Sequence, residues 1–436
     1  MPLTSTSAHQ GGLSSVPKSL TKSLVRTGRA VSGYPLASKL VYGIDVGTTK
    51  IVAIAGRADD RRGWVEVLSV GEAPSYGLKR GVVVDREAAT ESVAEAIEAC
   101  GGILRGMPVI VGIAGSHISS FNTEVTLLNR SRNRTITERF IGKLEAEARR
   151  VELGEGERVV HVVPRSFVLD GTEGVKQPLG LAGRKVTMRA HVVSGAISSI
   201  QNLLAAVGDC GVKVSRVVLE PLASSEACLL DEDRALGVAL IDIGGGTTDI
   251  ATFIRNTLTH TAVIPIGGES FSADVAYGLK VSFDIADELK LKYGNVLSHT
   301  VDDVAAVHIG GKYYNARFMS QILEYRAREV LEYTRESLDK AQVLNLLPGG
   351  AVLTGGGSLL EGMGALAEKI LGMRTRISAP LRVKGNSEPV QKPQYSTAVG
   401  LLYFAAKKTD LRAKSKGADQ VSFGSIVAAV KGWFRG

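Results

Sequence analysis

Two stretches of the chain repeat one pattern of apolar and polar positions. An apolar run ends on an aspartate, a glycine–threonine turn follows, and a second apolar run begins. The first copy is Leu40 to Ile44, Asp45, Gly47-Thr48-Thr49, then Ile51 to Ile54. The second is Val238 to Ile241, Asp242, Gly244-Gly245-Gly246-Thr247-Thr248, then Ile250 to Ile254. Short apolar runs bounded by turn residues read as buried strands, so each copy predicts a hairpin.

Between and beyond the hairpins, strand and helix patterns alternate. The block 85–164 reads β-α-β-β-α-β once its helix 86–100 is counted. It has strands at Pro108 to Ala114, Phe121 to Leu128 and Arg158 to Val163, and a helix capped by Thr137, which predicts an inserted α+β unit. Around it, 40–84 and 165–217 with 393–406 form one α/β half, and 218–271 with 341–392 form a second. Residues 272–340, rich in charge and helical periodicity, predict a helical subdomain.

The repeated turns carry the candidate chemistry. Glycines let backbone N–H groups close on an anion, and threonine hydroxyls add donors without bulk. Asp45 and Asp242, each at a strand end, suit the waters of a hard cation such as Mg²⁺. A third glycine element, Gly355-Gly356-Gly357-Ser358, separates the strand at Ala351 from a helix, where backbone lies bare against a ligand. Two clamped turns and this third one together predict a nucleotide site.

Composition narrows the class. The chain has 436 residues, 44% apolar, with three cysteines at no paired spacing, which argues against a disulfide framework or a zinc site. The net charge of +8 is uneven. Residues 1–40 hold Lys18, Lys22, Arg26, Arg29 and Lys39 without an acid, and 405–436 hold seven basic residues against Asp410 and Asp419. The body between is slightly acidic, so no nucleic-acid groove is indicated. The arm 1–39 reads as a disordered basic segment, a composition that a transit peptide shares.

The last residues form a different pattern. Drawn as a helix at 100° per residue, Phe423, Ile426, Val427, Val430, Trp433 and Phe434 fall within about a 120° arc. Lys431 and Arg435 lie beside the aromatic pair. Segment 421–436 therefore reads as an amphipathic helix for anionic lipid, joined by a basic tether at 407–420. The alternative is a terminal helix packed on the body.

The order of these elements resembles the actin, Hsp70 and sugar-kinase superfamily: phosphate turn, Leu219-Glu220-Pro221-Leu222-Ala223, second phosphate turn, Gly267-Gly268-Glu269, glycine-rich adenosine loop. Within it the chain is similar to the FtsA family of bacterial cell-division actins. The features are Asp170-Gly171 with Pro178-Leu179-Gly180 and Gly183, the position of the insertion, and Ala286-Asp287-Glu288-Leu289-Lys290 before Tyr293-Gly294.

The resemblance implies an actin-like fold and an ATP–Mg²⁺ site. Its residues would be Asp45, Gly47, Thr48, Thr49, Asp242, Gly244 to Thr248, Gly267, Gly268, Asp287, Lys290 and Gly355 to Ser358. The family usually has glutamate where this chain has Asp287, so the reach to a ribose is one methylene shorter. Glu220 stands where related ATPases orient the attacking water; on chemistry alone it could equally cap the following helix. Slow hydrolysis is compatible with this, with the main role that of an ATP-dependent adaptor. The family also implies docking of the tail of the tubulin-like protein FtsZ on 272–340, with Arg326, Arg328 and Lys312 as candidates. It implies self-association, contact with other division proteins, and a place at the inner face of the cytoplasmic membrane. The competing readings are a pilus-assembly scaffold and a small-molecule kinase of the same superfamily.

Overall fold

The structure, a computed structural model, describes residues 39–59, 64–385 and 388–406 of the chain. The basic arm as far as residue 38, the tether and the amphipathic segment lie outside the described residues; Lys39 opens the first strand.

Each repeated hairpin nucleates its own sheet. In the first, Lys39–Val46, Lys50–Asp59 and Trp64–Pro74 run antiparallel, and Pro108–Ile113 and Lys213–Leu219 add in parallel beyond Lys39–Val46. The second has the order Thr257–Ile264, Thr248–Ile254, Val238–Ile243, Ala351–Thr354, Thr375–Ile377. Again the hairpin is antiparallel and the crossover strand Ala351–Thr354 is parallel. All six residues of Val238–Ile243 are buried, as expected for a strand covered on both faces.

The helices Glu220–Cys228 and Ser396–Ala406 join the two halves. Their contact, with Leu222, Ala223, Val399 and Leu402, belongs to one core that draws on both sheets through Val52, Ile54, Leu240 and Val352. A Cβ on Gly400 would collide with the backbone carbonyl of Ala223, so glycine is what allows the helices to approach this closely.

The insertion is real but displaced from 85–164. Helix Arg86–Ala99 and strand Pro108–Ile113 belong to the first half, where Val93, Ala96 and Ile97 share a core with Val109 and Val111. The inserted sheet has the order Ile118–Leu128, Lys185–Ala196, Glu157–Leu169, Thr172–Val175, with helix Glu138–Ala148 against one face. Lys185–Ala196, expected in the main body, is thus a central strand of the insert. The individual strands were readable; their pairing is long-range, and two apolar strands look alike whichever sheet takes them. For the same reason Val383–Gly385, expected in the second half, adds to the first sheet beside Trp64–Pro74. The helical subdomain is Gly268–Leu279, Phe283–Tyr293 and Ala316–Lys340, with a small hairpin of Ala306–Ile309 and Lys312–Asn315.

Candidate nucleotide site

The two hairpin turns face each other across a cavity of about 490 Å³ between the halves, within the range of small-ligand sites. From the first turn Asp45, Gly47, Thr48 and Thr49 line it, and from the second Asp242, Gly244, Gly245, Gly246 and Thr247. The turns interlock. A Cβ on Gly245 would strike the Thr49 side chain, and one on Gly246 the Thr48 side chain. The Thr48 hydroxyl is itself fixed by the Gly81 amide, 3.1 Å away.

Gly355, Gly356 and Gly357 form the opposite wall. Gly355 has φ +81°, and a Cβ there would meet Asp242 and the Ile243 carbonyl. Gly268, Asp287 and Lys290 close the cavity on the helical side. The Lys290 ammonium donates to Asp287 (2.6 Å), to the Ser272 hydroxyl (2.7 Å) and to the Gly268 carbonyl (3.2 Å). Asp287 thus holds Lys290 in place at the rim.

Three expected ligand residues act behind the wall. The Thr248 hydroxyl is buried and donates to the Ile266 carbonyl at 2.8 Å. Ser358 donates to the Gly355 carbonyl at 2.7 Å, which tightens the glycine loop. Gly267 packs on the carbonyls of Gly244 and Gly245, and the amides of Gly268 and Glu269 donate to those same carbonyls at 2.8 Å. This segment props up the second turn.

Glu220 is the first residue of its helix, which Leu219 caps without any side-chain hydrogen bond. Its carboxylate lies over Gly112 and lines the cavity, so the helix-capping alternative is set aside.

Residues outside the expected set also line the cavity. Lys50, Glu72, Asp249, Gln394 and Thr397 supply polar groups; Leu291, Leu359, Leu360 and Pro393 supply apolar wall. Lys50 and Asp249 had a signal in the repeat itself. Each directly follows its Thr-Thr pair, so they occupy equivalent places on the two turns with opposite charge. Thr397 comes from the start of the last helix and Gln394 from the short turn Pro393–Tyr395 before it, neither of which carries a motif that marks a polar wall.

Four carboxylates meet here. Burial, then the charge of Asp242, pushes Asp45 up to about 7, with Lys50 pulling the other way. Burial and the same neighbour push Asp249 up to about 8. Burial and repulsion from Asp45, Asp249 and Asp242 hold Glu220 well above the usual range. Asp242 is raised by burial, but it accepts from Ser224 (2.5 Å) and Thr397 (3.2 Å), which favour its charged form. Lys50, the adjacent cation, is drawn toward Glu72 at 3.0 Å and lies over the Tyr395 ring.

A cation–nucleotide complex fits this arrangement. One Asp249 carboxylate oxygen is buried with no hydrogen-bond partner, and so is the Gln394 amide oxygen. Such groups are costly unless a ligand or water completes them.

The partner candidates stand differently. Arg326 is not a free charge: its guanidinium forks onto Asp274 at 2.5 and 2.9 Å and also pairs with Glu329. Arg328 pairs with Glu324 at 2.6 Å, and Glu324 also accepts from the amide and hydroxyl of Ser298. Lys312 stands at the exposed hairpin. The membrane candidates Phe423, Ile426, Val427, Val430, Lys431, Trp433, Phe434 and Arg435 lie outside the described residues. Among the described residues no helix is long and apolar enough to cross a membrane.

Two α/β halves built on repeated hairpins, joined by two crossed helices, with one cleft lined by both glycine–threonine turns between them, define an actin-like protein. The fold is shared with a chain of a PilM–PilN type IV pilus biogenesis complex, at TM-score 0.64 and 16% identity, covering 84% of this chain and 98% of that one. At that identity the likeness concerns fold alone. The family model "Cell division protein FtsA" matches residues 239–400, and "SHS2 domain inserted in FTSA" matches 115–194, close to the span Ile118 to Ala196 of the inserted sheet. The cell division protein FtsA of Pseudomonas aeruginosa is 35% identical over 382 residues, covering 85% of this chain and 90% of that protein. That of Escherichia coli K12 is 32% identical over 414 residues, covering 91% and 98%. The chain belongs to the FtsA family of cell-division proteins.

Proposed function

We propose that the protein binds ATP with Mg²⁺ in the interdomain cleft and anchors FtsZ filaments to the inner face of the cytoplasmic membrane at the division site. In this reading Asp45 and Asp242 hold the cation through water, and the two glycine–threonine turns hold the phosphates. Gly355 to Gly357 with Lys290 receive the nucleoside. The bound cation would supply the positive charge that the four carboxylates lack. Glu220 then has the position to orient a water toward the phosphates, which suits slow hydrolysis. Asp45, Asp249 and Lys50 set the charge around it.

One observation carries the adaptor role: the apolar arc Phe423 to Phe434, set apart from the body by the basic stretch 407–420. An aromatic-tipped amphipathic helix flanked by lysine and arginine is suited to an anionic interface, where one or two such signals bind reversibly. Membership of a cell-division family supports the site of action. The acidic FtsZ tail would dock on the helical subdomain. There it must exchange its carboxylates for Asp274 and Glu329 at Arg326, leaving Lys312 as the exposed charge of first contact. Self-association and contacts with further division proteins would use the remaining surface, including the insert.

Co-sedimentation with anionic liposomes tests this, comparing the full chain with one cut after Gln420 in Mg-ATP. The expected result is pelleting of the full chain, loss of pelleting on truncation, and recruitment of FtsZ by the full chain alone. Equal behaviour of the two chains would sink the anchor.

A further inference from the structure

The two ends of the described chain leave the body side by side. The strand Lys39–Val46 runs toward the cleft, where Asp45 lines the wall. The helix Ser396–Ala406 runs away from it, starting where Thr397 meets Asp242. The two lie in contact: a Cβ on Gly43 would stand 3.1 Å from that of Leu401. From there Lys39 is roughly 13 Å back along the strand, and Ala406 is about 8 Å on along the helix. The basic arm and the basic tether therefore start from one end of the first sheet, opposite the cleft.

That end has a surface of its own. Lys39, Ala58, Val65 and Val383 stand in one row across the sheet. Lys39, Arg382 and Lys384 are exposed, and the Lys384 ammonium lies 4.9 Å over the half-buried Trp64 ring. Leu40 is exposed beside Lys39. Glu66, in the same corner, pairs with Arg57 at 3.0 Å. The Tyr403 hydroxyl ties the last helix to this corner by donating to the Leu381 carbonyl at 2.6 Å. Basic side chains around an indole suit a lipid headgroup layer.

The arm, outside the described residues, carries a matching pattern in its sequence. Drawn as a helix at 100° per residue, Lys18, Lys22, Arg26 and Arg29 fall within about an 80° arc. Leu13, Val16, Leu20, Leu24 and Val31 fall within a second arc of about 80° on the opposite side, and Val25 alone breaks the pattern. No acid occurs before Asp45.

We propose that residues 13–31 are a second lipid-binding segment, which lays its leucine–valine stripe into an anionic membrane with its basic face against the headgroups. The proposal rests on the reading of 421–436 as an anchor and gives that anchor a partner. One amphipathic segment binds reversibly, whereas two joined to one body hold far more firmly. Both start from the same basic end, so both reach the same bilayer with the cleft facing away from it. Nucleic acid would satisfy the four cations but leave the apolar stripe without a partner, so lipid is the occupant.

Flotation of the full chain in Mg-ATP, on phosphatidylcholine vesicles with and without phosphatidylglycerol, tests this. One arm variant carries Lys18→Gln, Lys22→Gln, Arg26→Gln and Arg29→Gln; a second carries Leu20→Ser and Leu24→Ser. A charge-matched control on the insert carries Arg130→Gln, Arg132→Gln, Arg139→Gln and Lys143→Gln. We expect the control to bind anionic vesicles like wild type and both arm variants at least about tenfold more weakly, all with unchanged melting temperatures. The arm's share should shrink with added salt and vanish on pure phosphatidylcholine. If both arm variants bind like wild type while the chain cut after Gln420 loses binding, the proposal is overturned and the anchor stands. If the cut changes nothing while the arm variants lose binding, the anchor fails and the arm alone holds the membrane. An equal loss in the control overturns the proposal, because net charge would then account for binding. A loss in the charge variant alone overturns the inserted stripe. Recovery from native cells of a chain lacking residues 13–31 also overturns it, since the arm would then be a removed leader.

Discussion

Asp45 and Asp249 hold protons in the folded chain that they would release when unfolded. Their ordinary value is 3.8, and the fold raises them to about 7 and about 8. A carboxylate raised in this way adds stability that is complete at low pH and is lost as pH climbs through the folded value. Without nucleotide and in EDTA, the melting temperature should therefore fall by several degrees between pH 6.5 and 8.5. The buried histidines oppose this only at the foot of the window. Burial first of all pushes His161 and His191 down, to about 4 and about 3, and lowers His117 and His260 as well, whereas each is half protonated at about pH 6.5 in the unfolded chain, so their opposing gain is complete by about pH 7.5. Mg-ATP should flatten the slope, because a bound cation favours the ionised carboxylates. Glu220→Gln removes one of the four repelling groups, so it should raise the melting temperature at pH 8. If Glu220 orients water, the same change should cut ATP turnover about 100-fold while leaving nucleotide binding intact. A pH-independent melting temperature would show that the four groups do not share one field. The duplicated sequence marked two of these carboxylates, Asp45 and Asp242, because each ends an apolar strand before a glycine turn. Asp249 opens a buried strand, and only its mirror relation to Lys50 hinted at the cleft.

Helix contacts decide whether the two halves form one cleft. Ser396–Ala406 crosses Glu220–Cys228 so closely that Gly400 has no room for a side chain beside Ala223. The polar start of the same helix reaches the site: Thr397 bonds Asp242, and Ser396 meets Thr354 at 2.6 Å. Gly400→Ala is thus a sharp test. By helix propensity alone it should stabilise by about 1 kcal/mol. By overpacking it should destabilise by about 1–3 kcal/mol, and we expect a net loss in chemical denaturation together with weaker nucleotide binding. A gain in stability would mean the crossing is looser than described. At this scale the sequence was informative about elements and poor about partners. The apolar periodicity located Ser396–Ala406, Ala351–Thr354 and Glu138–Ala148 to within a few residues. It could not tell that Pro108–Ile113 completes the first sheet while Lys185–Ala196 completes the insert. Both carry buried apolar residues, and which neighbour each takes depends on contacts dozens of residues away.

Across the whole molecule the insert touches both halves. It leaves the first half after Pro108–Ile113 and returns to it at Ile197–Asp209, and between those points its sheet packs on the second half's edge strand Thr257–Ile264. His191 is the centre of that contact. Its Nδ1–H donates to the Asn122 side-chain oxygen at 2.9 Å, which leaves Nε2 to accept the Thr261 hydroxyl, also at 2.9 Å. Ser120 adds a bond to the Thr261 carbonyl at 2.7 Å. Any closing of the cleft moves the two sheets relative to each other, so it must carry the insert along or break this bridge. A bridge of buried, satisfied polar groups is rigid and costly to break. His191→Ala should cost about 1–3 kcal/mol, since it leaves the Asn122 and Thr261 side chains without their buried partner. Its particular mark should be local: faster amide exchange in Thr257–Ile264 and Ile118–Leu128, with Val238–Ile243 unchanged. If the bridge transmits cleft state, Mg-ATP should slow exchange of Thr257–Ile264 in wild type and lose that effect in the variant. Uniformly faster exchange across the second sheet would instead make His191 an ordinary core residue. None of this coupling was visible in the sequence, where His191 is one of several polar residues in its strand and its partners lie 69 and 70 positions away.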